Sequence, residues 1–230
     1  MASKIRMRTD DYTAKRYESR AEWLKGRMRS VGASEVSLVM GIAPSSWGNA
    51  STLWERKTNP VVEENGNEDT IRGSRAEEHI RELLGIEHGD LKVVDMTGII
   101  FRSRRYPWLT CSLDAAIVHP DGSFTIVEIK DVRYTPHWKN GAYPRYYKYQ
   151  CAAQMLVTGA KDAVLLARIG YDFGGGRTPV ERLCAGSSRE VRIHIKRSAV
   201  KGQFAGIVRE TGKFWECVEN GTPPPVYIGR

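Results

Sequence analysis

The chain has 230 residues, 41% hydrophobic and 27% charged, a balance that excludes a disordered or fibrous protein and is enough to bury a core without disulfide staples. A formal charge of +8 points to a polyanionic partner, although a basic surface can also serve solubility alone. The longest apolar runs, such as Ala163–Ala167, are far too short to cross a bilayer, and Cys111, Cys151, Cys184 and Cys217 lack the close pairing of a metal clasp and read as cytosolic thiols.

The opening Met1-Ala-Ser-Lys-Ile-Arg-Met-Arg is basic and lacks the apolar stretch of a signal peptide, so the expected compartment is the cytoplasm. Residues 10–29 place Ala14, Tyr17, Ala21, Leu24 and Met28 near helical spacing, which predicts a helix. Ser34 is expected to cap a short helix over Glu35–Met40, stopped by Gly41. Residues 43–50 read as a loop, and Leu53–Lys57 as another short helix. Asn67–Leu84 is a long helix by pattern, with Ile71, Ala76, Ile80, Leu83 and Leu84 inward and Gly85 as its stop.

The texture then turns to β-branched and aromatic residues. Leu91–Asp95, Gly98–Phe101, Leu109–His119 and Phe124–Lys130 predict strands, the last two joined by a hairpin at Pro120-Asp121-Gly122. Tyr143–Thr158 predicts a helix ending at Gly159. Ala163–Ile169 follows as a strand, Gly174–Gly176 as a turn, Glu190–Lys196 as a half-exposed strand, and Ser198–Glu219 as the last helix. The order gives an α/β class with a mixed central sheet flanked by helices. No linker divides it, so one domain is expected over 1–230: an N-terminal helical elaboration (1–65), an α/β core (66–196), and a C-terminal helix and tail (197–230).

In Glu128-Ile129-Lys130, alternate residues of a strand share a face, so Glu128 and Lys130 point one way and Ile129 into the core. Two charges closing an otherwise hydrophobic strand are either paired at its edge or functional. Asp114 lies as far before Asp121 as Glu128 lies after it, so the hairpin sets the two acids opposite one another. Facing carboxylates repel unless a positive charge lies between them. A divalent cation satisfies both, and hard oxygen donors suit Mg²⁺, with Mn²⁺ able to substitute. Lys130 is then placed to neutralise an attacking hydroxide or a phosphate oxygen.

The long helix offers Glu77 as a further ligand, direct or through water. Gly73 near its start fits either a close backbone approach or a packing contact. Gln150 and Gln154, four apart on one helix face, can reach water at the site or DNA backbone, or stand solvated. Trp138-Lys139 and the run Tyr143–Lys148 mix rings with cations, which suits base stacking and core packing alike. His79, His88, His119, His137 and His194 show no metal spacing. Gly174–Gly176 with Arg177 lacks the Gly-Lys-Ser/Thr of a phosphate-binding loop.

Several of these blocks occur together in a recognisable order. Trp23…Arg27…Ser34-Glu35, Trp54-Glu-Arg-Lys, Arg72-Gly73…Glu77, Ser112-Leu-Asp114, Glu128-Ile129-Lys130 and Gln150…Thr158-Gly159 resemble the phage-lambda-exonuclease-like (YqaJ-type) viral recombinases of the PD-(D/E)xK nuclease superfamily. The likeness covers roughly residues 20–170. It departs at Ser-Leu-Asp, where Ser-Pro-Asp is usual, and at Ala152, where a second glutamine is common. The resemblance implies a restriction-endonuclease-like core in which Asp114, Glu128 and the Ile129 carbonyl bind metal and Lys130 orients the attacking water. It also implies that Arg27 and Ser34 hold a terminal 5′-phosphate, with Arg72 nearby on DNA.

The activity so implied is a Mg²⁺-dependent 5′→3′ exonuclease on linear double-stranded DNA, leaving 3′ single-stranded tails for phage-type recombination. A single-strand annealing protein is the implied partner, a ring-shaped homotrimer the implied assembly, and the bacterial cytoplasm the compartment if a phage encodes the chain. Trp47, the Phe214-Trp215 pair and the arm from Pro223 to Ile228 are candidate contacts between subunits, or caps on their own core. Two readings stand beside this one: a site-specific endonuclease of the same superfamily, and a catalytically inert DNA-binding protein.

Overall fold

The computed structural model describes residues 11–59, 92–133, 136–138, 141–170 and 188–225. The expected helix Asn67–Leu84, with Arg72 and Glu77, and the turn Gly174–Gly176 lie outside the described residues.

The chain enters as strand β1, Tyr12–Arg16, where a helix was expected. It pairs antiparallel with β4, Ile99–Ser103, setting Tyr12 opposite Ser103. Only Tyr12 of this strand is buried, its ring edge-on to Phe101 at 5.2 Å. A strand with one inward side chain carries no period-two pattern, and the sheet edge it joins is some eighty residues away. Helix α1, Arg20–Arg27, begins only after Ser19, whose side chain accepts the Glu22 N–H and so caps it.

Strand β2, Val31–Gly32, leads into a 3-10 turn over Ala33–Glu35 and then helix α2, Val36–Val39. Ser34 therefore lies inside the turn and is not the cap. The cap position is Gly32, whose N–H donates to the Glu35 carboxylate at 2.8 Å. Gly41 follows α2 with φ 63°, the left-handed conformation that ends helices. Helix α3, Ala50–Thr58, is capped by Asn49, whose side chain accepts from the Ser51 and Thr52 amides.

The remaining strands are β3 (Lys92–Asp95), β5 (Leu109–Cys111), β6 (Ala115–Val118), β7 (Phe124–Arg133), β8 (Asp162–Gly170) and β9 (Ser188–Lys196). Helix α4, Arg145–Thr158, lies between β7 and β8; α5 (Arg197–Val200) and α6 (Phe204–Glu219) follow β9. Two sheets form where one was expected. The first is mixed and five-stranded, in the order β3-β6-β7-β8-β9, with β7 and β8 parallel and the other pairs antiparallel. The second has the order β1-β4-β5-β2. The N-terminal region thus contributes two strands to a sheet and is not purely helical.

The expected strand Leu109–His119 is broken at Ser112–Asp114, so β5 and β6 belong to different sheets. Parallel pairing of β7 with β8 requires a crossover, and α4 supplies it. Gly159, with φ 74°, closes α4. Cys151, Ala152, Ala153, Met155 and Val157 of α4 are all fully buried. A helix apolar on every side lies inside a fold, and α4 packs against β4, β5, β8, α2 and α6. One buried cluster runs from Tyr12 and Phe101 through Met155 to Ile207 and Phe214. A smaller one, built on Ala115, Ile117, Val127, Ile129 and Leu166, takes the opposite face of the five-stranded sheet. Phe214 is 3% exposed, so it belongs to its own chain's core and not to a subunit contact. Among the described residues, no helix is long and apolar enough to cross a membrane.

Candidate active site

The β6–β7 hairpin turns at Pro120–Gly122, where Gly122 adopts φ 77° and donates its N–H to the His119 carbonyl. Ala115 pairs with Val127; one step further, Asp114 comes level with Glu128 but has already left the ladder. The Asp114 carboxylate accepts the Ile129 N–H at 2.7 Å. Ile129 itself is 1% exposed, facing away from the acids as alternation along the strand requires.

Glu128 is almost wholly buried and is held from three sides. Lys130 Nζ and Gln150 Nε2 reach its Oε1, and Gln154 Nε2 reaches its Oε2. The two glutamines stand one turn apart on α4 and clasp the two oxygens of one carboxylate. Gln154 also donates to the Ser112 carbonyl at 3.2 Å, tying the break between β5 and β6 to the same helix. Gln154 has no exposed surface, so it cannot touch DNA as expected; its place is behind Glu128. Its Oε1 is buried with no hydrogen-bond partner. Flipping the amide would set oxygen against the carboxylate, so the orphan is what it costs to hold both acceptors.

The Lys130 ammonium lies over the Tyr147 ring, 5.6 Å from its centroid. Burial pulls this group down, but the Glu128 and Asp114 carboxylates outweigh it and hold Lys130 above the ordinary lysine range. Burial, with Glu128 adding to it, pushes the Cys111 and Cys151 thiols up, so neither offers a thiolate. Among the described residues, the donors left are hard oxygens, the Asp114 and Glu128 carboxylates and main-chain carbonyls, with Lys130 beside them and Arg27 in the same cleft. That set fits a hard divalent cation and not a soft one. Among the described residues, no three His, Cys, Asp or Glu side chains converge; the carboxylates there that could hold a cation are Asp114 and Glu128.

A second group shares the cleft. Arg27 ends α1 and donates to Ser34 Oγ at 2.9 Å, with its guanidinium 4.7 Å from the Trp23 ring centroid. The Trp23 indole N–H donates to Ser112 Oγ at 3.2 Å, binding α1 to the segment just before Asp114. Below them the Lys57 ammonium contacts Glu35 at 2.7 Å and donates to the Arg27 carbonyl at 2.9 Å. This support escaped the sequence reading: Glu35 signals itself only as an acid three residues after Gly32, and Lys57 comes from another helix. One cavity of about 180 Å³ is lined by Arg27, Ser34, Asp114, Glu128, Lys130 and Gln150 together.

A mixed sheet with a helical crossover, carrying an acid before one strand and Glu-x-Lys on the next, defines the PD-(D/E)xK class of nuclease fold. Solved structures share it. An alkaline exonuclease from Laribacter hongkongensis, in complex with dAMP, superposes with a TM-score of 0.60 at 25% identity, covering 87% of this chain and 93% of that one. A phage-related exonuclease from Haemophilus somnus 129PT gives 0.53 at 16% identity, covering 84% and 96%. The chain belongs to the YqaJ-like viral recombinase domain family, whose match spans residues 22–161, more than half its length. YqaJ of Bacillus subtilis strain 168, an uncharacterized protein, is 29% identical over 144 residues, 61% of this chain but 43% of that relative. The chain thus matches less than half the length of this curated relative.

Proposed function

We propose that this chain is a divalent-metal-dependent deoxyribonuclease that degrades linear double-stranded DNA from 5′ ends, leaving 3′ single-stranded tails for phage-type recombination. The observation that carries this reading is the single cleft lined by Arg27 and Ser34 and by Asp114, Glu128 and Lys130. The formal charge of +8 suits a DNA partner, and the Laribacter hongkongensis relative binds dAMP, a nucleotide of the size an exonuclease releases.

Asp114, Glu128 and the Ile129 carbonyl would hold the metal, Mg²⁺ by their hardness, with Mn²⁺ able to replace it and Glu77 adding a further oxygen. When bound, the metal makes water a better nucleophile and offsets charge on the phosphate. Lys130 keeps its proton and steadies the charge that develops on the phosphate oxygens. Gln150 and Gln154 keep Glu128 in one orientation. Arg27, held by Ser34 and Trp23, makes a charge-assisted contact to the 5′-phosphate, with the Ser34 hydroxyl beside it. Arg72 adds a contact to the DNA backbone. A homotrimeric ring, a single-strand annealing partner and the bacterial cytoplasm complete the reading; light scattering across concentration and salt tests the assembly.

The deciding experiment is nucleotide release in Mg²⁺ from linear duplex with 5′-phosphate ends, the same duplex with 5′-hydroxyl ends, and a closed circle. The expected order is fast, slower and none. Cutting of the circle at defined sequences would establish a site-specific endonuclease instead. No release from any DNA, in Mg²⁺ or Mn²⁺, would leave a DNA-binding protein with an inert site.

A further inference from the structure

Trp47 is the one large apolar side chain that is exposed among the described residues, at 47%. It is nonetheless held in place. It ends a 3-10 turn, Ser45–Trp47, that starts after Pro44. Gly48 follows with φ 95°, and a Cβ there would meet Thr52 Oγ1 at 2.3 Å, so only glycine allows this approach to α3. The indole meets the Tyr146 ring edge-on at 4.8 Å, Tyr146 meets Tyr147 edge-on at 4.5 Å, and the Lys130 ammonium lies 5.6 Å from the Tyr147 centroid. The row puts the indole no more than about 15 Å from that ammonium. Arg145, exposed, and Lys148 flank Tyr146 and Tyr147 on the same helix.

We propose that Trp47 is a stacking platform for a nucleobase of the DNA strand that enters the cleft. The proposal rests on the nuclease reading, which places the reacting phosphate at Lys130. Stacked DNA advances about 3.4 Å per nucleotide on each strand, so the indole lies within about four nucleotides of that phosphate. Rings interleaved with cations are the composition by which proteins grip single strands, and stacking tolerates any base because every base has a π face. Tyr147 is buried and Tyr146 half-buried, so the indole is the exposed end of a ring row that leads from the surface to the lysine of the site. The platform would hold the strand between cleavage steps without reading its sequence.

The test uses Trp47→Ala and Trp47→Phe in the full chain, with binding of short single-stranded and duplex oligonucleotides measured in EDTA. Trp47→Ala is expected to weaken binding roughly tenfold, the effect of losing one stacked base, and Trp47→Phe to recover most of it. Hydrolysis of bis(p-nitrophenyl) phosphate, which has no base, stays at the wild-type rate in both. A single abasic site moved through the four nucleotides nearest the end should cost the wild type the same factor at one position, and cost Trp47→Ala nothing more there. Equal binding by wild type and Trp47→Ala overturns the proposal, as does an abasic series with no such position. A Trp47→Ala effect confined to the mass seen by light scattering overturns it too and assigns the indole to a subunit contact. If Trp47-dependent binding is found while the wild type releases no nucleotide in Mg²⁺, the platform stands and the nuclease reading falls.

Discussion

The Asp114 carboxylate accepts the Ile129 N–H at 2.7 Å, at the point where β6 stops and β7 continues. The acid takes an amide that a longer β6 would have paired, so one contact both closes the ladder and fixes the carboxylate beside Glu128. Asp114→Asn keeps an oxygen acceptor and removes the charge. It should melt like the wild type and lose Mg²⁺-dependent cleavage to background. Asp114→Ala strands the amide and should also lose about 1–3 kcal/mol of stability. Wild-type cleavage by Asp114→Asn would refute the metal role.

Gln154 is fully buried and donates to Glu128 and to the Ser112 carbonyl. Gln154→Leu, similar in volume, leaves both acceptors short of a donor. Urea denaturation should show a loss of about 1–3 kcal/mol. The Mg²⁺ concentration for half-maximal cleavage should rise about 10- to 100-fold, as expected when support behind a ligand is removed. An unchanged Mg²⁺ requirement together with lower stability would make Gln154 a packing residue only.

Lys130 is held charged by the two acids it faces. Lys130→Ala should slow cleavage by about 10²–10³, the scale of losing one donor to a developing charge. Calorimetry should find Mg²⁺ bound at least as tightly, because a competing cation is gone. Loss of Mg²⁺ binding in this variant would show that the lysine organises the acids and not the reaction.

Burial pushes the Glu35 carboxyl up, but Lys57 and Arg27, with the bonds from Lys57 and the Gly32 amide, outweigh it and hold it below the usual range. Its folded pKa therefore lies under the unfolded value of about 4.3. The stability it contributes is complete above that value and is lost as the pH falls through the folded one. Burial lowers Lys57 more than Glu35 raises it, but in acid Lys57 stays charged and leaves the window unchanged. Glu35→Gln should lose about 3–5 kcal/mol at pH 7, from a buried ammonium without its partner. Urea midpoints measured from pH 3 to 7 should fall less steeply with acid in the variant; parallel curves would exclude Glu35 as the source.

Arg27 donates to Ser34 and faces the cleft with the acids. Arg27→Ala should abolish any preference for 5′-phosphorylated over 5′-hydroxyl duplex, while Arg27→Lys, a point charge without the fork, keeps part of it. Competition between the two duplexes in one reaction reads the ratio directly. A preference that survives Arg27→Ala would move the phosphate contact elsewhere.

What the residues determined by themselves was local. The hairpin at Pro120–Gly122, the setting of Asp114 against Glu128, the shared face of Glu128 and Lys130, and the long helix closed by Gly159 all follow from short-range turn chemistry and periodicity, which need no knowledge of distant chain. Tertiary structure decided the rest. β1 is a strand because an edge formed by Ile99–Ser103 accepts its backbone, although Ala14, Tyr17 and Ala21 keep near-helical spacing. Gln154 turns inward because α4 crosses between both sheets, where a glutamine can stay only by serving the Glu128 carboxylate and the Ser112 carbonyl. Ser34 became a partner of Arg27 and not a helix cap once Glu35 took the Gly32 amide and bound Lys57. Apart from the short Arg27–Ser34 and Gly32–Glu35 links, these are contacts between segments tens of residues apart, whose energies depend on burial and on facing charges. Neither exists along a sequence until the chain has folded back on itself.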